Sequence, residues 1–304
     1  MSASFSSLPL SPAELSNLES LEYQKMTPIQ AQSLPVILAG KDLLAQAQTG
    51  SGKTAAFGIG VLNALSVPQY HSEVLILCPT RELADQVSKE LRRLARAIPN
   101  TKIVSLCGGK PMGPQLASLE HKPHLVVGTP GRVLKHLQKG TLKLDHLKTL
   151  VLDEADRMLD MGFIIDIQRI LKRVPSDRQT MLFSATFNEE IFTLSKNILK
   201  NPELIEVDAR NTTAAKVEQM VYVVDEDKKR ELTSFMIGSK NWQQVLIFVR
   251  TKQGADALAK EMCKDGIKTQ SIHGDKSQGA RERALEEFKE GKVRALVATD
   301  VAAR

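Results

Sequence analysis

The 304 residues are 42% hydrophobic and 25% charged, proportions of a folded globular chain that exclude a disordered, collagenous or membrane-spanning one. The net charge of +6 admits a polyanionic partner, but one Trp and three Tyr are too few for single-strand binding by base stacking, so contact with a nucleic acid is expected mainly through its backbone. Cys78, Cys107 and Cys263 share no C-x-x-C spacing, so all three are expected to be reduced and buried, with no disulfide framework and no structural metal; with no long apolar run and no signal pattern, the chain is expected in the cytoplasm and away from membranes.

In chain order, the first organised stretch is Tyr23-Gln24-Lys25-Met26-Thr27-Pro28-Ile29-Gln30. Thr27 as N-cap and Pro28 at the first helical position predict a helix start. Gln30 then falls in the first turn, with an amide that suits the N6 and N7 edge of adenine, and Tyr23 is placed to stack on that ring. Next comes Ala47-Gln48-Thr49-Gly50-Ser51-Gly52-Lys53-Thr54, between an apolar run at 43–45 and a helical pattern from Ala55. Strand, glycine loop and helix are the setting of a phosphate-binding loop. The glycines let backbone N–H groups converge on an anion, and the helix N-terminus adds unpaired donors. Lys53 would reach the β- and γ-phosphates, and the Thr54 hydroxyl would ligate Mg2+. Ala47 stands where the general pattern has its first glycine.

A regular alternation follows. Apolar runs at 74–78, 103–106, 125–127, 149–152 and 181–183 are separated by helical patterns, such as Leu83, Val87, Leu91 and Leu94. That alternation predicts an α/β fold whose parallel sheet is covered by helices on both faces. A polar motif begins where each strand ends, so Lys53, Arg81, Gly109, Arg132, Asp153 and Ser184 are expected along one sheet edge. Asp153 is placed to hold Mg2+, partly through water, and Glu154 to orient and deprotonate an attacking water, whereas Arg157 and Asp160 are expected on a helix surface. Thr80-Arg81, Gly108-Gly109 and Thr129-Pro130-Gly131-Arg132 offer hydroxyl, guanidinium and bare N–H groups, the means of binding phosphates without reading bases.

After Val207 the pattern lapses, and 208–216 are expected to be a linker between a domain at 1–207 and a second one at 217–304. A second α/β series runs through expected strands at 221–224, 245–249, 269–272 and 294–298.

Taken together, these motifs resemble those of the DEAD-box ATP-dependent RNA helicases, in family order: Gln30, AQTGSGKT at 47–54, PTREL at 79–83, GG at 108–109, TPGR at 129–132, DEAD at 153–156 and SAT at 184–186. The resemblance accounts for Ala47, which the family has at that place; Glu22 and Met26 stand where it usually has glycine and often has proline. It implies two RecA-like domains, ATP and Mg2+ as ligands, RNA as partner, and RNA-stimulated ATP hydrolysis coupled to local unwinding of short duplexes. It gives Ser184 and Thr186 a role in coupling nucleotide state to RNA, and Arg250, Gly274 and Thr299 a role in RNA phosphate contacts. The first half resembles the bacterial branch linked to large-ribosomal-subunit assembly. The family continues past Arg304, so an incomplete second domain is expected, with the 294–298 strand lacking its covering helix, low turnover by these residues alone and a monomer in solution. A DNA-directed enzyme on the same fold and a non-catalytic ATP- and RNA-binding fragment stay open as alternatives.

Overall fold

The computed structural model of the chain describes residues 4–207, 218 and 220–299. The chain divides into two compact units, 1–216 and 217–304; the expected linker at 208–216 lies outside the described residues.

The first unit contains α1 (Pro12–Ser20), α2 (Pro28–Leu38), β1 (Leu43–Gln46), α3 (Lys53–Asn63), β2 (Val74–Leu77), α4 (Arg81–Leu94), β3 (Ile103–Leu106), α5 (Met112–Glu120), β4 (Leu125–Gly128), α6 (Pro130–Gln138), β5 (Thr149–Leu152), α7 (Ala155–Asp160), α8 (Ile164–Leu171), β6 (Gln179–Ser184), α9 (Glu189–Ile198) and β7 (Glu203–Glu206). Among the described residues the strands form one seven-stranded sheet in the order β3-β4-β2-β5-β6-β1-β7, with every pairing parallel. Alternate residues of each strand serve opposite faces. Leu43, Ile76, Val127, Val151 and Phe183 pack with Ile29, Phe57 and Leu91 of α2, α3 and α4. Leu44, Leu75, Val126, Leu150 and Leu182 pack with Val133, Ile170 and Leu194 of α6, α8 and α9. The inner strands β4, β2, β5 and β6 are buried on both faces, which is why they read as apolar runs.

The helix behind the phosphate loop is held unusually close to its neighbours. A Cβ at Gly60 would lie 2.2 Å from Cγ2 of Ile37 on α2, and one at Gly58 would lie 2.8 Å from Cδ1 of Leu94 on α4. A glycine inside a helix costs about 1 kcal/mol relative to alanine. Here it lets two helices approach the element that starts at Lys53.

The second unit contains α10 (Lys229–Ser239), β8 (Val245–Val249), α11 (Lys252–Lys264), β9 (Thr269–Ile272), α12 (Gln278–Lys289) and β10 (Ala295–Thr299). Its strands form a parallel three-stranded sheet in the order β8-β10-β9 among the described residues. Three expectations are corrected here. β10 is not bare: as the central strand it packs Ala295 and Val297 with α10 and α11, and Leu296 and Ala298 with α12. Among the described residues one face of β8 is left open, where Leu246 and Phe248 are 47% and 57% exposed, because α12 packs over β9 and β10 instead. Val221–Val224 forms no strand; its alternation has no partner among the described residues, and Val221 and Val223 are exposed. Cys263 is exposed, unlike Cys78 and Cys107.

Candidate nucleotide site and backbone-binding edge

The loop from Ala47 to Gly52 joins β1 to α3 at the carboxyl edge of the sheet. Gly50 and Gly52 have φ of +83° and +91°, the left-handed conformation that glycine adopts without strain. Gly52 is doubly constrained, since a Cβ there would stand 2.6 Å from Nε2 of Gln30. The loop is fastened at its base, where Ala47 N donates to Ser184 O at 2.8 Å and Gln46 Nε2 donates to Ala185 O at 3.1 Å. The SAT segment therefore braces the phosphate loop from the neighbouring strand β6.

Lys53 is buried at the start of α3, and its Nζ lies 2.8 Å from Oδ1 of Asp153, at the end of β5, and 3.6 Å from Oε1 of Glu154. Burial works against the charge of Lys53, but the two carboxylates outweigh it and raise its pKa. Asp153 is wholly buried, and that burial pushes its pKa up despite the attraction of Lys53. One ammonium does not fully compensate this carboxylate. Its Oδ2 and the Oγ of Ser51 are buried with no hydrogen-bond partner among the described residues. Orphaned polar atoms facing a glycine loop fit a phosphate group and a divalent cation.

Glu154 is the N-cap of α7, at φ 56° and ψ 56°, where a non-glycine residue is strained. Thr49 Oγ1 donates to its Oε1 at 2.8 Å, and Arg157 Nη1 donates to its Oε2 at 3.1 Å. Burial raises its pKa, but Lys53, Thr49 and Arg157 together bring it below the ordinary glutamate value. Asp156 reaches the SAT segment: its Oδ2 accepts from both N and Oγ1 of Thr186, each at 3.0 Å, while Ser184 Oγ donates to Thr186 O at 2.7 Å.

The residues expected to read adenine also make contacts within the protein. Gln30 Oε1 accepts from Thr27 N at 2.9 Å, completing a capping box, and its Nε2 donates to Gly52 O at 3.1 Å. Tyr23 donates to Glu90 Oε1 at 2.6 Å and meets the ring of Phe5 edge-on; burial, then Glu90, raises its pKa. Gln48 O accepts from Ser51 N within the loop, and Thr54 lies half-buried one residue into α3.

The other half of the same edge, after β2, β3 and β4, carries the candidate backbone-binding residues. Thr80 caps α4 by accepting from Leu83 N at 3.3 Å. The guanidinium of Arg81 lies over Gly109, where a Cβ would come within 1.9 Å of Nη1. Gly108 N donates to Thr129 Oγ1 at 3.3 Å. Arg132 lies in the first turn of α6, with its Nη1 buried and unpartnered among the described residues. These five expected residues thus follow three adjacent strands, β3, β4 and β2, which β5 and β6 separate from the strand before the phosphate loop. In the second unit, Arg250 follows β8 and is exposed, and Gly274 follows β9 near Lys252, which pairs with Asp275 at 2.7 Å; Thr299 ends β10 and is buried.

Arg157, expected on a helix surface, is instead only 15% exposed and bonded to Glu154. Thr49 was placed in the loop, but its link to Glu154 has no signature in the sequence. The i,i+3 spacing of Glu154 and Arg157 is the one signal that pointed to their contact.

A parallel RecA-like α/β unit, with a phosphate loop after one strand and paired carboxylates after another two strands away, defines a nucleotide-binding class of protein. The DEAD/DEAH box helicase family model matches residues 27–194, the helicase conserved C-terminal domain model matches 227–304, and the chain belongs to the DEAD/DEAH box helicase family. It is 50% identical over 295 residues to the ATP-dependent RNA helicase DbpA of Escherichia coli (strain K12), covering 97% of this chain and 64% of that protein. It is 42% identical over 300 residues to the DEAD-box ATP-dependent RNA helicase CshA of Geobacillus kaustophilus (strain HTA426), covering 99% of this chain and again 64% of the relative. Among solved structures, S. cerevisiae Dbp5 bound to RNA and ADP BeF3 matches with a TM-score of 0.89 at 29% identity, over 99% of this chain and 77% of that one. A DEAD box protein from the hyperthermophile Methanococcus jannaschii matches with a TM-score of 0.65 at 39% identity, over 99% and 81%. The chain thus spans just under two thirds of the length of the curated relatives named here.

Proposed function

We propose that the first unit binds ATP with Mg2+, that the adjoining sheet edge holds an RNA backbone, and that the protein is an RNA-stimulated ATPase that opens short RNA duplexes locally. The observation that carries this reading is the buried 2.8 Å ion pair between Lys53 and Asp153, which joins the phosphate loop to the carboxylate pair. In the nucleotide complex Lys53 would move from Asp153 to the β- and γ-phosphates. The N–H groups of residues 47–54 would surround them, and Gln30 and Tyr23 would meet the adenine. Thr54 and Asp153 would hold Mg2+, Asp153 partly through water; when bound, the ion would neutralise charge developing on the transferring phosphoryl group. Glu154 is the base for the attacking water. Asp156, Ser184 and Thr186 form one hydrogen-bonded cluster that touches the phosphate loop, which supports a coupling role for Ser184 and Thr186.

For RNA we assign Thr80, Arg81, Gly109, Thr129 and Arg132 in the first unit, and Arg250, Gly274 and Thr299 in the second, as contacts to phosphate and sugar. The assignment rests on their chemistry and, for the first five, on their clustering at three adjacent strand ends. The names of DbpA and CshA as RNA helicases, and the RNA in the Dbp5 structure, support RNA as the polymer. We further propose that the RNA is ribosomal and that the protein works as a cytoplasmic monomer, with residues 1–207 and 217–304 as its two domains.

The test compares ATP turnover stimulated by RNA and by DNA of the same sequence. Proteins that hold a backbone tell the two polymers apart through the 2′-OH. Stimulation by RNA alone is expected. Equal stimulation by DNA would support the DNA-directed reading, and fluorescent-ADP binding without turnover would support the non-catalytic one.

A further inference from the structure

Arg157 makes the two oxygens of Glu154 unequal. Oε1 faces the phosphate loop, receiving the Thr49 hydroxyl at 2.8 Å with Lys53 Nζ at 3.6 Å. Oε2 faces the other way and receives Nη1 of Arg157 at 3.1 Å, from within the same short helix. The Arg157 side chain is only 15% exposed, and its Nε and Nη2 make no hydrogen bond among the described residues, so the hydrogen bonding of its guanidinium is directed at Glu154. A glutamate side chain turns about three torsions, and a base that must take a proton at one point needs them fixed.

We propose that Arg157 is a positioning residue that anchors Oε2 of Glu154, leaving Oε1 as the oxygen that accepts the proton of the attacking water. The proposal rests on the reading of Glu154 as the base. As the water oxygen bonds to the γ-phosphorus, one of its protons passes to Oε1. The bond from phosphorus to the bridging oxygen breaks, and its electron pair leaves with ADP. Oε1 then returns the proton to solvent or to the released phosphate. Throughout, Arg157 stays bonded to Oε2 and touches neither nucleotide nor water.

The test measures RNA-stimulated ATP turnover and fluorescent-ADP affinity in the natural-length protein. Arg157→Gln should lower kcat about tenfold or more while leaving KM for ATP and the affinity for ADP unchanged. Arg157→Lys keeps one charged donor and should recover most of the loss. Glu154→Gln and the double variant Glu154→Gln/Arg157→Gln should turn over equally slowly, because Arg157 acts only through the carboxylate. Wild-type kcat in Arg157→Gln beside an impaired Glu154→Gln would overturn the positioning role and leave Glu154 as base. Full activity in Glu154→Gln would overturn both. Multiplying losses in the double variant, or loss of ADP binding in both Arg157 variants, would assign Arg157 an independent or purely structural part and overturn the proposal.

Discussion

Gln30 and Gly52 are joined across the base of the nucleotide site. The Nε2 of Gln30, fixed by the capping box of α2, donates to Gly52 O at 3.1 Å, and Gly52 has no room for a Cβ because Gln30 fills it. The residue proposed to read adenine therefore also supports the loop proposed to hold phosphate. Gln30→Ala should weaken ADP and GDP alike by about 1 kcal/mol through the lost loop bond, and ADP further through the lost base contact. Titrations with fluorescent ADP and GDP separate the two parts. Unchanged GDP affinity would remove the loop role, and an unchanged ADP-to-GDP ratio would remove the base role.

Lys53 and Asp153 predict a different signature. Removing one partner of a buried pair leaves an uncompensated charge, typically at 3–5 kcal/mol. Lys53→Ala should therefore destabilise the protein by about that much as well as weaken nucleotide binding. Adding Asp153→Asn removes the stranded charge, so the double variant should be more stable than Lys53→Ala alone, yet bind nucleotide no better. Denaturant unfolding of both variants checks this. A double variant no more stable than the single one would show that the pair is not the electrostatic unit described here.

The inner strands of the first sheet were legible because a buried parallel strand is a short apolar run, as in Val74–Leu77 and Thr149–Leu152. The order of the strands was not, because period and hydropathy do not encode neighbours. The final strand thus read as an uncovered end, although β10 is the centre of its sheet. Likewise 221–224 has strand-like residues but no partner strand among the described residues, and the ladder, not propensity, makes a strand. At the site, the residue types of Lys53 and Asp153 were legible from chemistry, but their direct pairing was not. The added contacts of Gln30 and Tyr23, and the burial of Arg157, were not legible, because a buried side chain bonds to whatever the tertiary fold places beside it. Arg157 looked like surface because arginine usually is.

Arg132 tests the proposed RNA edge. If it contacts phosphate, Arg132→Ala should weaken unrelated RNA strands of equal length by a similar factor, and reduce the slope of log affinity against log salt by about one. Binding isotherms at several salt concentrations measure both. A loss confined to one sequence would mean that Arg132 reads a base.

Gly60 tests the packing behind the phosphate loop. An added methyl would stand 2.2 Å from Cγ2 of Ile37, itself buried at 3% exposure, so α2 and α3 would have to separate. Overpacking of this kind costs about 1–3 kcal/mol and outweighs the helix propensity gained with alanine. Gly60→Ala should lower the midpoint of unfolding, and it should lower it less when added to Ile37→Ala than when added to wild type, because the clashing methyl is gone. Gly140 has φ of +67° but nothing near its Cβ position, so Gly140→Ala should reveal backbone strain alone, without the clash.

His136 supplies the dependence on pH. Its ring is fully buried between α5 and α6, with Nε2 3.3 Å from Oε1 of Gln115 and Nδ1 2.9 Å from Oγ1 of Thr141. Gln115 Nε2 donates to Cys107 O at 3.0 Å, so its Oε1 is the acceptor and Nε2 of His136 carries the proton of the neutral ring. Burial, and then Arg132, Lys139 and Lys135, lower its pKa below the ordinary value of 6.5. A histidine that resists protonation in the fold contributes stability that is fully present above 6.5. That contribution is lost as pH falls from there toward the lowered folded value, because the unfolded chain takes up the proton first. The midpoint of unfolding should therefore drop between pH 7.5 and pH 5.5, and His136→Gln, which cannot titrate, should show a smaller drop. Glutamine keeps a donor for Gln115 and an acceptor for Thr141, so its stability at pH 7.5 should remain close to wild type. An equal drop in both proteins would place the acid sensitivity in another group.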